Sequence, residues 1–192
     1  VETDRPGFSR GRVLAKIGQR AQDTVALFFD ETRIPASNLL GVEGEGLRYL
    51  MAQLPRERLL VGMAALAGAQ AAFRETLAYA NARQAFGQPI SQFQHLRFRL
   101  AELKTKITVA GAFLDQCIAR FEHGDLPVDE AAMCKYWLTD VEADVLDECV
   151  QMHGGYGFMR EYPVARAYAD ARGQRIYAGT NEIMKEIVAR NL

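Results

Sequence analysis

The sequence predicts a mainly α-helical protein, an up-and-down bundle of the four-helix type, preceded by a few short β-strands. From residue 46 onwards apolar side chains recur at spacings of three and four, the period of a helix with one buried face. The segments with this period are joined by short loops, which favour antiparallel neighbours. With 192 residues, of which 49% are hydrophobic, the chain can bury a core of one domain's size.

Residues 1–42 are predicted to form the strands, and residues 43–192 the bundle. Residues 24–29 are an apolar run bounded by polar residues and then by Pro35, which is typical of a strand. Two or three strands are only marginally stable alone, so we expect them to pair with strands outside this sequence or to lean on the helices. Because the sequence begins at Val1, among strand-like residues, we expect it to be a piece of a longer chain.

Three long helices and one short one are predicted in the bundle. The first covers residues 47–83, with a kink or a restart at Pro55, which lacks an N–H and clashes with the preceding turn. Its glycines and alanines between residues 62 and 72 make it thin, so a neighbouring helix can approach closely. The apolar stripes of the next two helices cover residues 96–121 and 134–152, and a last helix covers residues 183–190.

Composition excludes several classes of function. A net charge of −1 and a pI near 6.4 give no basic excess for nucleic acid or an anionic membrane, and no apolar run is long enough to span a bilayer. Three unpaired cysteines indicate a reducing compartment, so we expect bacterial cytoplasm or mitochondrial matrix rather than secretion. Cys149 and His153 share a helix face, but no further ligands stand at useful spacing, and no metal site is predicted.

The richest stretch covers residues 151–186 and contains two turns. In the first, three glycines between residues 154 and 157 follow a long helix, which is typical of a helix cap. The same backbone also lets a ligand approach closely, with Gln151 and His153 offering hydrogen bonds. The second turn runs from Ala178 to Glu182 and leads into the last helix, whose first N–H groups face whatever lies ahead of them.

The order of these motifs resembles the C-terminal part of the flavin-dependent acyl-CoA dehydrogenases. In that family the Gln-x-x-Gly-Gly loop and the Gly-Thr-x-Glu/Gln turn both touch FAD. The resemblance therefore implies that one group of residues binds FAD: Gln151, His153, Gly154, Gly155, Thr180, Asn181 and Glu182. It also identifies residues 1–42 as the last strands of the family's middle β-domain.

A second FAD contact is implied at the loop after the first helix. Arg83, Phe86 and Gln94 alone would suggest an exposed charge, a buried aromatic and a polar helix start. In the family, the Arg-x-x-Phe-Gly loop and the downstream Gln reach the FAD of a neighbouring subunit, and an arginine fork suits a pyrophosphate. The resemblance thus implies a homo-oligomer, in the family's usual form a dimer of dimers.

The family removes two hydrogens from an acyl-CoA thioester: a base takes the α proton, and the β hydrogen leaves as hydride to the flavin. In many members the base is a Glu directly before the Gly-Thr turn, a position held here by Ala178. The long-chain and isovaleryl branches place it where Glu57 stands, so Glu57 is our predicted base, although its setting between two arginines is also typical of a solvated charge. Arg58 is expected to contact substrate and to brace the turn near the base through a carboxylate, for which a predicted helix at residues 168–172 is a candidate source. Ala178 and Gly179 are the other implied substrate contacts, and the Ala178 N–H would polarise the thioester oxygen.

The sequence accordingly predicts the C-terminal part of an FAD-dependent acyl-CoA dehydrogenase, nearest the long-chain or isovaleryl type, with an electron-transfer flavoprotein as the expected electron acceptor. Because the family's other domains hold much of the flavin and acyl-CoA path, we expect this part alone to be inactive. Two alternatives stay open. One is a flavin-free oligomerisation core, and the other is an acyl-CoA oxidase-type flavoenzyme.

Overall fold

Five helices dominate the structure, a computed structural model that describes residues 1–192. The predicted mainly α-helical bundle with few strands is confirmed. The helices are α1 (Gly46–Ala82), α2 (Gln94–His123), α3 (Val128–His153), α4 (Pro163–Ala171) and α5 (Asn181–Ala189). The strands are β1 (Phe8–Arg10), β2 (Leu27–Phe29), β3 (Gln84–Ala85) and β4 (Gln88–Pro89).

The chain divides into two compact units, residues 1–53 and 54–192. In the first, β1 pairs antiparallel with β2, and Phe8 stands opposite Phe29. The strand predicted at residues 24–29 is therefore shorter than expected, although the Gly11 N–H still donates to the Ala26 carbonyl at 2.8 Å. The apolar side chains of β2 are exposed. The predicted boundary after residue 42 and the predicted outside partner for these strands stay predictions.

Helix α1 runs for 37 residues without a break at Pro55, so the predicted restart at that proline is wrong, and the alternative, a kink, stays a prediction. Proline removes one backbone hydrogen bond of a helix and crowds the preceding turn. Leu59, Ala65 and Leu66 then bury one face of the helix. This burial explains why the helix continues beyond the defect.

Helix α3 is the centre of the second unit. It packs against α2, α4 and α5, and its apolar stripe, including Leu138, Val145 and Cys149, is fully buried. The predicted close approach of thin α1 is also observed, because a Cβ on Gly62 would lie 2.8 Å from the Cys134 Sγ of α3. Packing this tight leaves room only for small residues on that face of α1.

The connections between the helices are short. Strands β3 and β4 form a hairpin between α1 and α2, with Phe86 and Gly87 at its tip in left-handed backbone, φ 50° and 84°. Gly124 ends α2 in the same region, φ 78°, and its N–H donates to the last carbonyls of the helix. None of the five helices is long and apolar enough to cross a bilayer.

Candidate functional site

A cleft of about 670 Å³ lies where the end of α1, the hairpin after it and the end of α3 meet, within the second unit. Its volume falls in the range of small-molecule sites, roughly 300–1,000 Å³. The residues that line it combine aromatic rings, glycines and polar groups: Tyr79, Arg83, Ile90, Gln151, Met152, His153, Gly154, Gly155, Tyr156 and Met159. Five predicted FAD-binding residues, from segments far apart in the chain, thus share one cleft.

Arg83 supplies the positive charge of this cleft. It follows the last residue of α1, and its guanidinium carbon lies 5.8 Å from the centre of the Tyr156 ring. It makes no ion pair with a carboxylate of the chain, unlike Arg99 and Arg120, which both do. An exposed arginine held on an aromatic face, with its donors unused by carboxylates, can bind an anion such as a phosphate.

His153 and the glycines form the opposite wall. The His153 ring is buried and stacks on Tyr79, with ring centres 4.2 Å apart, and its Nδ1 lies 2.8 Å from the Cys149 carbonyl oxygen. Because a carbonyl only accepts, Nδ1 carries a proton and donates it there. Gly154 has a left-handed φ of 59°, as expected of a cap, and a Cβ on Gly154 or Gly155 would meet open space. The glycines of this wall therefore end helix α3 and also leave open space in which a ligand could approach the backbone.

Phe86 and Gln94 stand outside this cleft. Phe86 is at the hairpin tip and 97% exposed, so the buried aromatic that the local pattern suggested is not found. Gln94 is the first residue of α2 and is exposed. Neither side chain is buried in the core of the chain. Their contact with FAD stays a prediction.

The second predicted turn precedes α5. Ala178 and Gly179 are both left-handed, φ 54° and 91°, and no backbone hydrogen bond of the chain uses the Ala178 N–H. Thr180 caps α5, and its hydroxyl accepts from the Ile183 N–H at 3.4 Å. Glu182 is exposed in the first turn of α5, where a bond from its own backbone N–H lowers the pKa of its carboxyl. The turn thus offers a backbone donor at Ala178.

Asn181 differs from the other predicted FAD contacts because its side chain turns inward. It is 2% exposed, its Oδ1 accepts from the Lys135 ammonium at 2.8 Å, and its Nδ2 donates to Asp140 Oδ1 at 3.0 Å. Asp140 also pairs with Arg175 at 2.7 Å. A contact between Asn181 and FAD would therefore have to use its backbone.

Glu57 and Arg58 are neighbours on α1 with opposite environments. Glu57 is exposed. Arg58 is 5% exposed, its Nε is buried without an acceptor, and burial lowers the pKa of the guanidinium. Lys135 of α3, whose pKa is lowered mainly by burial and to a smaller extent by the Arg58 charge, donates to the Gly179 carbonyl at 2.8 Å. The bracing role of Arg58 and the base role of Glu57 stay predictions.

Two buried charged side chains of α3 were missed by sequence reasoning. Lys135 is fully buried at the turn, and Glu142 is 4% exposed with one carboxyl oxygen lacking any partner. Burial raises the pKa of Glu142 to about 8, and a hydrogen bond with Gln174 opposes the shift. In the sequence, Lys135 and Glu142 directly follow residues of the apolar stripe of α3. A charged residue beside such a stripe could have indicated a buried charge.

Comparison with known proteins identifies the family. Residues 44–192 match the family model for the acyl-CoA dehydrogenase C-terminal domain. The chain belongs to the acyl-CoA dehydrogenase family. It is 50% identical over 192 residues to a mitochondrial long-chain specific acyl-CoA dehydrogenase of Sus scrofa, covering all of this chain and 45% of the relative.

Solved acyl-CoA dehydrogenases share the fold. An acyl-CoA dehydrogenase from Geobacillus kaustophilus is 49% identical and superposes with a TM-score of 0.96, over all of this chain and 50% of that one. A butyryl-CoA dehydrogenase from Megasphaera elsdenii is 36% identical with a TM-score of 0.93, again over all of this chain and half of the other. The chain spans about half the length of the relatives it matches.

Proposed function

We propose that this chain is the C-terminal part of an FAD-dependent enzyme that introduces an α,β double bond into an acyl-CoA thioester. The observation that supports this best is the gathering of Arg83, Gln151, His153, Gly154 and Gly155 around one cleft. The chain covers about half the length of a long-chain and of a short-chain specific acyl-CoA dehydrogenase, which agrees with a role as part of a larger enzyme. A long-chain acyl-CoA is the proposed substrate, because the long-chain specific relatives are about half identical to this chain.

The residues of the cleft fit part of a dinucleotide. Arg83 would bind a phosphate oxygen, and the side-chain-free surface at Gly154 and Gly155 would let a flat or extended ligand lie against backbone. Gln151 at the rim supplies hydrogen bonds. Bound FAD would supply the redox step, acceptance of the β hydrogen as hydride. Since the chain covers half of its relatives, we propose that a second subunit and the remaining domains complete the site.

Glu57 is the proposed base. It is exposed, so a substrate can reach its carboxylate. The Ala178 N–H, which no backbone acceptor of the chain takes up, would donate to the thioester oxygen as negative charge develops there.

Anaerobic titration of the full-length, FAD-loaded protein with acyl-CoAs tests the reaction. We expect long-chain acyl-CoA to bleach the flavin absorbance stoichiometrically and to yield an enoyl-CoA two hydrogens lighter by mass. Absence of bleaching with long, short and branched acyl-CoAs would refute the proposal. Rapid oxygen uptake with acyl-CoA alone would favour the oxidase instead of a dehydrogenase that passes electrons to a flavoprotein acceptor.

A further inference from the structure

The Ala178–Thr180 turn is fastened to α3 on both sides. Before it, Arg175 pairs with Asp140 at 2.7 Å, and after it, the Asn181 amide donates to the same carboxylate at 3.0 Å. Residues 176–180, called the bridge below, thus connect two residues that both bind the Asp140 carboxylate. Such attachments fix the ends of the bridge, but they leave the peptide planes between them free to rotate.

Lys135 holds the middle of the bridge. It is 0% exposed, and its ammonium donates to the Gly179 carbonyl and to Asn181 Oδ1, both at 2.8 Å. Because an ammonium has only donors, the contact also fixes which end of the Asn181 amide faces it. Burial lowers the pKa of Lys135 to about 8, while the charges of Asp140 and Glu182 oppose this, so the ammonium form predominates at neutral pH.

The bond to Gly179 sets the direction of a donor. The chain has no cis peptide bonds, and in a trans peptide the carbonyl and the next N–H point in opposite directions. A Gly179 carbonyl held toward α3 therefore turns the Thr180 N–H away from α3. A cation on the carbonyl also polarises the peptide, which makes that N–H a stronger donor.

We propose that Lys135 is a positioning residue of the candidate site, holding the Gly179 carbonyl from inside the bundle and thereby aiming the Thr180 N–H at the bound ligands. A methionine would fill the same volume without the desolvation cost of a buried ammonium. What lysine adds is therefore its donors and its charge at the turn. The catalytic half of this inference rests on the proposed dehydrogenation, whereas the structural half does not.

Hydrogen exchange of the full-length, FAD-loaded protein tests the structural half. We compare wild type with Lys135→Met, which keeps the volume, with Lys135→Gln, which keeps a donor, and with Lys104→Met at an exposed position of α2. In Lys135→Met the segment 177–184 should exchange at least about tenfold faster, since the hydrogen bonds from a charged group that hold the turn are lost. Lys135→Gln should show a smaller rise, α3 should keep its protection in both, and Lys104→Met should match wild type.

Flavin bleaching by acyl-CoA tests the catalytic half on the same samples. We expect Lys135→Met to slow bleaching about 100-fold, with a smaller change in half-saturating acyl-CoA and unchanged flavin content, because loss of one oriented donor costs about that much. Unchanged exchange in segment 177–184, or an equal rise throughout the chain, would overturn the positioning role. If Lys135→Met does not fold, the test rests on Lys135→Gln. Wild-type exchange together with wild-type bleaching in Lys135→Gln would also overturn the positioning role. If wild type itself fails to bleach, the proposed function falls while the exchange result still decides the position of the turn.

Discussion

Replacing Glu142 with glutamine should stabilise the protein at alkaline pH. The carboxyl is 4% exposed, its Oε2 has no partner, and the amide oxygen of nearby Gln174 also lacks one. A protonated carboxyl or an amide can offer a hydrogen to such an acceptor, but a carboxylate cannot. Burial accordingly raises the pKa of Glu142 to about 8 from an ordinary 4.5.

The sign of the effect follows from proton counts. Between pH 4.5 and 8 the folded chain keeps a proton on Glu142 that the unfolded chain has released, so the free energy of unfolding falls as pH rises through this window. At about 1.4 kcal/mol per pH unit, the full penalty above pH 8 is on the order of 3–5 kcal/mol. The Glu142→Gln variant lacks this penalty because its amide does not ionise.

Urea unfolding followed by far-ultraviolet circular dichroism at pH 5, 7 and 9 measures the difference. We expect wild type and Glu142→Gln to be similar at pH 5 and to diverge by several kcal/mol at pH 9. Asp147→Asn, an exposed change on the same helix, should follow the wild-type curve. Parallel curves for wild type and Glu142→Gln would show that Glu142 is ionised in the folded protein, contrary to the reasoning above.

Three further changes have defined outcomes. Gly157→Ala should lower the free energy of unfolding by about 1–3 kcal/mol, because its Cβ would lie 2.2 Å from the Val150 carbonyl oxygen. Gly155→Ala, whose Cβ would meet open space, should not lower it. Thermal unfolding compares the two variants, and equal melting points would contradict the predicted clash. Ala178→Gly should raise the stability by roughly 1 kcal/mol, since glycine adopts a φ of 54° without strain, and a lower melting point would contradict this. Arg83→Ala should weaken FAD binding about 10- to 100-fold in flavin-release assays, with exposed Arg74→Ala as control, and unchanged binding would remove Arg83 from the site.

The positions of the three long helices α1, α2 and α3 could be predicted from the sequence because each has a long apolar stripe with a spacing of three and four residues. The continuation of α1 through Pro55 could not, since it depends on tertiary burial of Leu59, Ala65 and Leu66, which outweighs the loss of one backbone hydrogen bond. Local pattern alone also gave the wrong environment for Phe86, which a hairpin tip exposes.

The candidate site was predicted in part. Residues of the glycine motif and Arg83 do share a cleft, because the ends of α1 and α3 meet there. The inward turn of Asn181 depends on Lys135, which lies 46 residues earlier in the chain, and the spacing of residues holds no sign of such a pair. The stripe of α3 could have indicated that Lys135 is buried, but the partner of its ammonium is known only once the helices are packed.

Stopped-flow bleaching tests most directly whether Glu57 removes the α proton. Full-length, FAD-loaded wild type, Glu57→Gln and the control Glu75→Gln, an exposed change on the same helix, are mixed anaerobically with long-chain acyl-CoA. If Glu57 is the base, its variant should bind flavin normally and bleach it about 1,000-fold more slowly, within the usual range for loss of a general base. Bleaching of Glu57→Gln at the wild-type rate would show that Glu57 is only a surface charge and that the base lies elsewhere.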